Sequence, residues 1–248
     1  MILRQQFQTA VSLIYPSACV SCGAQVQDDF GLCGHCWSET EFISGASCDS
    51  CGCALPGYAQ DAERNLCDGC LSDPPPWSRG RAALAYGGQG RRLVLAFKHG
   101  DRTDLARPAA GWLQKAGQDL LKDDPLLVPV PLHWSRLLRR GYNQAALLAQ
   151  ALALRGNWDC CPDALLRSKM TPTLDHRSRT DRQKILSGVI RANPRQAARM
   201  KGRKIVLIDD VMTSGATLRA CTAACQAEDA SEVHVLVLAR VNGGFTGV

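Results

Sequence analysis

The chain has 248 residues, 46% hydrophobic and 21% charged with a net charge of +6, a composition that fits a packed globular protein and excludes a disordered or fibrous one. No apolar run approaches the roughly 18 residues of a membrane-spanning helix, so no membrane span is expected. The charge is split: residues 1–76 carry two Lys/Arg against nine Asp/Glu, net −7, and residues 77–248 carry 27 against 14, net +13. Opposite signs predict two modules, and the basic one suits a polyanion, either a phosphorylated small molecule or a nucleic acid. In chain order, residues 1–15 read as a short amphipathic helix using Leu3, Phe7, Val11 and Ile14. The polar stretch RQQ breaks its apolar run, so a secretory leader is not expected.

Residues 16–73 hold nine of the 13 cysteines. Eight of them form four C-x-x-C pairs: Cys19/Cys22, Cys33/Cys36, Cys48/Cys51 and Cys67/Cys70. A two-residue spacing lets both thiolates face one ion from a tight turn, and two such turns complete a tetrahedral zinc site. A disulfide framework needs an oxidising compartment, and a single redox pair does not call for four motifs. Two structural Zn2+ ions are therefore expected. Sequential pairing puts Cys19, Cys22, Cys33 and Cys36 on one ion and Cys48, Cys51, Cys67 and Cys70 on the other; a cross-braced pairing is equally open to the spacing. Cys53 is left over. Sites closed by four thiolates keep no position for a substrate, and in so small and acidic a segment they supply folding energy.

Residues 74–80 contain a run of three prolines and read as an extended linker. From residue 81 to 248 apolar strands alternate with helices. Residues 82–86, 126–132, 204–209 and 233–239 read as strands; RRLVLAF, LARPAAGWLQKAGQDLL, NQAALLAQALAL and GATLRACTAACQAE read as helices, with Pro108 near a helix start. Such alternation predicts an α/β fold with a doubly wound parallel sheet, whose ligand sits at the carboxyl ends of the strands. There the sequence has "IVLIDDVMTSGATL", two carboxylates followed by a loop of hydroxyls and glycine. Free amides at the start of a helix favour a phosphate, while Asp209 and Asp210 can accept hydrogen bonds from sugar hydroxyls. A ribose 5-phosphate meets both demands.

This stretch resembles the phosphoribosyl-pyrophosphate (PRPP) motif of type I phosphoribosyltransferases. The resemblance implies a diol on Asp209 and Asp210 and a 5-phosphate held along Val211, Met212, Thr213, Ser214, Gly215, Ala216 and Thr217. The whole chain is similar to the ComF (GntX-like) family of bacterial competence proteins, through its cysteine pairs, AFKHGDR, VPVPLHWSRLLRRGYNQAALLAQAL and the acidic motif. That likeness implies a double zinc ribbon before a transferase-like domain, and a pyrophosphate loop at Pro131, Leu132 and His133 with Arg136, Arg139 and Arg140 nearby. It also implies a hood to which Lys98 and Arg182 belong, with Arg167 and Thr171 at matching places and departures at Leu174 and Ile185. His99 lies beside Lys98. The function implied is cytoplasmic handling of incoming single-stranded DNA, with Mg2+ accompanying PRPP and DNA-uptake proteins as partners. The alternative is a Mg2+-dependent phosphoribosyltransferase with an unidentified acceptor and no DNA role. Trp112, Trp134 and Tyr142 are scattered through the basic stretches, and burial accounts for them better than base stacking.

Overall fold

The computed structural model describes residues 17–27, 31–57, 64–99, 102–168 and 188–241, without the side chain of His99. The helix expected over 1–15, and Thr171, Leu174, Arg182 and Ile185, lie outside the described residues.

Four strands make the central sheet: β1 (Gly80–Ala85), β2 (Leu126–Pro129), β5 (Lys204–Met212) and β6 (Glu232–Arg240), in the order β1-β6-β5-β2 and parallel at every pairing. Successive side chains leave a strand on opposite sides, and the two cores follow that alternation. Ile205 and Leu207 of β5, with Val233, Val235 and Val237 of β6, join one core. Val206, Ile208, Leu236 and Leu238 join the other. The second core is closed by three helices, α3 (Gly88–His99), α4 (Ala106–Ala116) and α6 (Gln144–Gly156), which bring in Phe97, Leu113, Leu148 and Leu152. The first is closed by α7 (Ala216–Gln226) and by an antiparallel pair, β3 (Leu165–Arg167) with β4 (Ile190–Ala192). Both faces of a parallel sheet are thus covered, as its apolar strands require. Pro108 falls in the first turn of α4, where its missing N–H costs nothing.

The cysteine-rich module packs on the same first core: Cys48, Cys51, Cys53, Cys70 and Trp77 are counted in it. The module contains two five-residue helices, α1 (Gly34–Ser38) and α2 (Asp68–Ser72), each opening on a C-x-x-C turn. Its residues 41–43 run antiparallel to β1, with Ile43 N donating to Ala83 O at 3.0 Å and Ala85 N to Glu41 O at 2.9 Å. That edge of the sheet is therefore paired. The β2 edge is bridged at Leu127 by Cys160, and there Pro129 can sit because no further strand needs its N–H. Asp49 accepts from Arg79 at 3.1 Å and from Arg81 at 2.8 Å, across the module boundary.

β5 extends three residues beyond the expected end at Asp209, because β6 continues beside it: Asp209 pairs with Val237, Val211 with Ala239 and Met212 with Arg240. β2 stops at Pro129, earlier than expected, since Pro129 and Pro131 cannot donate to a ladder. Among the described residues no helix is long and apolar enough to cross a membrane.

Candidate ligand site and metal centres

The eight expected cysteines fall into two groups of four, Cys19/Cys22/Cys33/Cys36 and Cys48/Cys51/Cys67/Cys70, with all ligand atoms of each group within 4.8 Å of one another. The pairing is sequential. Cys22 and Cys33 sulfurs lie 3.7 Å apart, as do those of Cys51 and Cys67. Zn–S bonds of about 2.3 Å at tetrahedral angles place sulfurs about 3.8 Å apart, so both cages fit zinc. Cys53 is buried and is not one of the four, but its thiol lies against those of Cys48 and Cys51.

At the carboxyl end of β5, Asp209 and Asp210 occupy different surroundings. Asp210 is only 8% exposed and pairs with Lys98 at the end of α3, Nζ to Oδ2 3.2 Å. Its backbone N–H donates to Asp209 Oδ1 at 2.9 Å. Burial, and then the charge of Asp210, push the Asp209 carboxyl well above its ordinary value; Lys98 opposes this. Burial lowers the Arg167 guanidinium, Arg136 lowers it further, and Asp209 partly offsets both, so Arg167, Arg136 and Asp209 share one electrostatic neighbourhood. After Met212 the chain turns through Thr213 and Ser214 into Gly215, whose φ of 74° is left-handed and suits glycine. Gly215 is the N-cap of α7, and no side chain caps that helix. Its first amides are left for another acceptor, which the helix dipole would prefer negative.

The expected pyrophosphate segment lies at the end of β2, the strand next to β5. Pro131 and His133 are buried and Leu132 is partly so. His133 caps a short helix, α5 (Trp134–Arg140), its Nδ1 accepting from the Ser135 amide at 3.3 Å and lying 2.8 Å from Ser135 Oγ. No residue of α5 is buried. Trp134 is 64% exposed and Leu138 76%, so the expected burial of Trp134 does not hold, although its ring lies 5.5 Å from that of His133; among the described residues the outer face of α5 is open. Trp112 and Tyr142 are partly buried.

The corner after α5 does positioning work that the sequence did not disclose. Gly141, at φ 78°, ends the helix. Tyr142 Oη donates to Phe97 O at 2.9 Å, Gln144 Nε2 to Lys98 O at 3.4 Å and Asn143 Nδ2 to Val130 O at 3.1 Å. Arg140 Nη1 donates to Gln144 Oε1 at 3.3 Å. Three consecutive side chains thus tie the end of α3, which carries Lys98, to the end of β2. On the other side of β5, Arg240 Nη1 donates to Met212 O at 3.2 Å and Thr213 O at 2.7 Å.

Two families match this arrangement. Residues 10–71 match the double zinc ribbon domain and residues 137–244 the phosphoribosyl transferase domain. Over 222 residues the chain is 32% identical to Competence protein F of Haemophilus influenzae, an alignment covering 85% of this chain and 90% of that protein. The chain belongs to the ComF family. Within it, DNA utilization protein YhgH of Escherichia coli K12 is 28% identical over 236 residues, 92% of this chain and 99% of that one. Competence protein ComFC of Bacillus subtilis is 26% identical over 194 residues, 78% and 77% respectively. The architecture is that of the family: a double zinc ribbon docked on a type I phosphoribosyltransferase-like sheet.

Proposed function

We propose that this ComF protein binds PRPP with Mg2+ at the ends of β5 and β2 and works in the cytoplasm on incoming single-stranded DNA during DNA uptake. The observation that carries the ligand reading is the junction of β5 and α7, where an acidic pair stands beside a left-handed glycine and an uncapped helix start. The ribose hydroxyls donate to Asp209 and Asp210, and the 5-phosphate accepts from the amides of Thr213 to Thr217. Lys98 and Arg136 supply positive charge toward the pyrophosphate, as does Arg140 beyond the His133 cap. Mg2+ arrives on the ligand's own oxygens. In the free protein Lys98 already sits against Asp210, so a cation stands beside the sugar's acceptor before the ligand arrives.

The DNA role takes its support from the relatives' names and from α5. A projecting helix with exposed Trp134, flanked by Arg136, Arg139 and Arg140, offers a stacking surface and phosphate contacts together. Calorimetric titration with Mg2+ and PRPP, run beside titration with single-stranded DNA at physiological salt, tests both halves. We expect saturable PRPP binding that falls at least about tenfold in the Asp209→Asn/Asp210→Asn double variant, the equivalent of 1.4 kcal/mol. An unchanged dissociation constant in that variant removes the ligand assignment. DNA binding without PRPP binding leaves the sheet as a scaffold only.

A further inference from the structure

The second four-cysteine centre and the loop after β5 are joined by a buried side chain, Trp77. Trp77 is 5% exposed, and its Nε1 donates to the backbone oxygen of Ser50 at 2.6 Å, between Cys48 and Cys51. The opposite edge of its ring meets the loop: a Cβ placed on Gly215 would lie 3.1 Å from Trp77 Cη2. A second tie runs beside it. The Arg219 guanidinium sits 5.9 Å from the centre of the Trp77 ring. Arg219 donates to Asp73 O at 3.0 Å and Pro74 O at 3.1 Å and pairs with the Asp73 carboxylate at 3.1 Å. Asp73 is the C-cap of α2, the helix that holds Cys70, while Arg219 N donates to Gly215 O in the first turn of α7. A cavity of about 480 Å³ is lined by Cys51, Cys67 and Cys70 of the centre together with Trp77, Met212 and Thr213.

A five-residue helix has no stability of its own, so α2 and the Ser50 turn keep their places only while the four thiolates share an ion. Those two elements fix Trp77 and Arg219, and Trp77 backs the glycine on which the loop turns. We propose that Trp77 is a positioning residue through which zinc on Cys48, Cys51, Cys67 and Cys70 and a phosphorylated ligand on the loop strengthen one another's binding. The proposal rests on the PRPP reading above. Coupling between two binding equilibria is reciprocal, so the ligand must slow or weaken loss of zinc as much as zinc assists the ligand.

The test uses the full zinc-loaded chain. Release of both ions to a colorimetric chelator is followed with and without saturating Mg2+ and PRPP, and PRPP affinity is measured on the same sample. One of the two ions is expected to leave about fivefold more slowly, or slower still, when PRPP is bound, the other unchanged. Trp77→Leu is expected to keep two zinc ions at the start and lose this protection. If that variant fails to fold, Trp77→Phe, which keeps an aromatic ring in the core but loses both the bond to Ser50 and the Cη2 edge that meets Gly215, is expected to show reduced protection. PRPP binding that leaves both release rates unchanged overturns the coupling alone, and full protection in Trp77→Phe and Trp77→Leu overturns the role of Trp77. Absence of PRPP binding in the zinc-loaded parent overturns the ligand reading and the coupling with it.

Discussion

Asp209 and Asp210 are adjacent in sequence, but the strand separates them chemically. Asp210 follows Val206 and Ile208 in register and meets Lys98 of α3; Asp209 follows Ile205 and Leu207 and lies within electrostatic reach of Cys221 on α7 and Arg167 on β3. One carboxylate is therefore paired with Lys98, while the other is pushed toward its neutral form, chiefly by burial. An acid whose folded pKa is raised contributes stability that is complete below its unfolded pKa and is lost as pH rises through the folded one. Asn at position 209 can still accept from the Asp210 amide and carries no charge to bury. Asp209→Asn should accordingly match the parent's melting temperature in acid and exceed it at alkaline pH, with the gap widening as pH rises. A gap that narrows toward alkaline pH would show Asp209 to be ionised in the free fold. Asp210→Asn is expected to behave oppositely near neutrality, lowering the melting temperature because Lys98 loses its partner.

At the scale of elements, α5 separates what could be read from sequence from what could not. The long strands and helices were legible because their periodicity runs over many residues, as in β5, β6, α6 and α7. The acidic motif was legible because its chemistry is local, six or so consecutive positions whose roles follow from a strand end and a helix start. β3 and β4 are three residues each and carry no period to detect. The positioning by Tyr142, Asn143 and Gln144 was hidden because their acceptors, Phe97, Val130 and Lys98, are distant in sequence or hidden in backbone oxygens. Trp134 was misjudged because burial depends on what surrounds α5, and among the described residues its outer face is left open. That exposure allows a direct check. Trp134→Ala should cost about 1–3 kcal/mol of single-stranded DNA affinity if a base stacks there. Arg139→Ala should flatten the slope of log affinity against log salt by about 0.7, the share of one phosphate contact on a single strand. Titrations at several salt concentrations that return the parent's affinity and slope for both variants would place DNA elsewhere.

The whole molecule is held as one unit by contacts that the charge split only hinted at. The acidic module pairs residues 41–43 with the edge of β1 and sets Asp49 against Arg79 and Arg81. Burial raises the Asp49 carboxyl, but the Asn65 amide and both guanidinium groups more than offset it, so it titrates below the ordinary carboxylate range. The backbones are in close contact as well: a Cβ on Gly52 would lie 2.5 Å from Ala82 N, and Gly52 has φ 70°. A module with so little core depends on its ions, and its loss would expose the β1 edge and one wall of the Trp77 core. Chelation of zinc from the full chain should therefore lower the melting temperature of the transferase-like part too, by roughly 2–4 °C for each kcal/mol of docking energy lost. The zinc-loaded chain should melt in one transition, and the stripped chain should associate through its open edge, seen as earlier elution on a sizing column. Two calorimetric transitions in the loaded chain, with the upper one indifferent to chelator, would mean that the modules fold independently and that the contacts across β1 contribute little to holding the sheet.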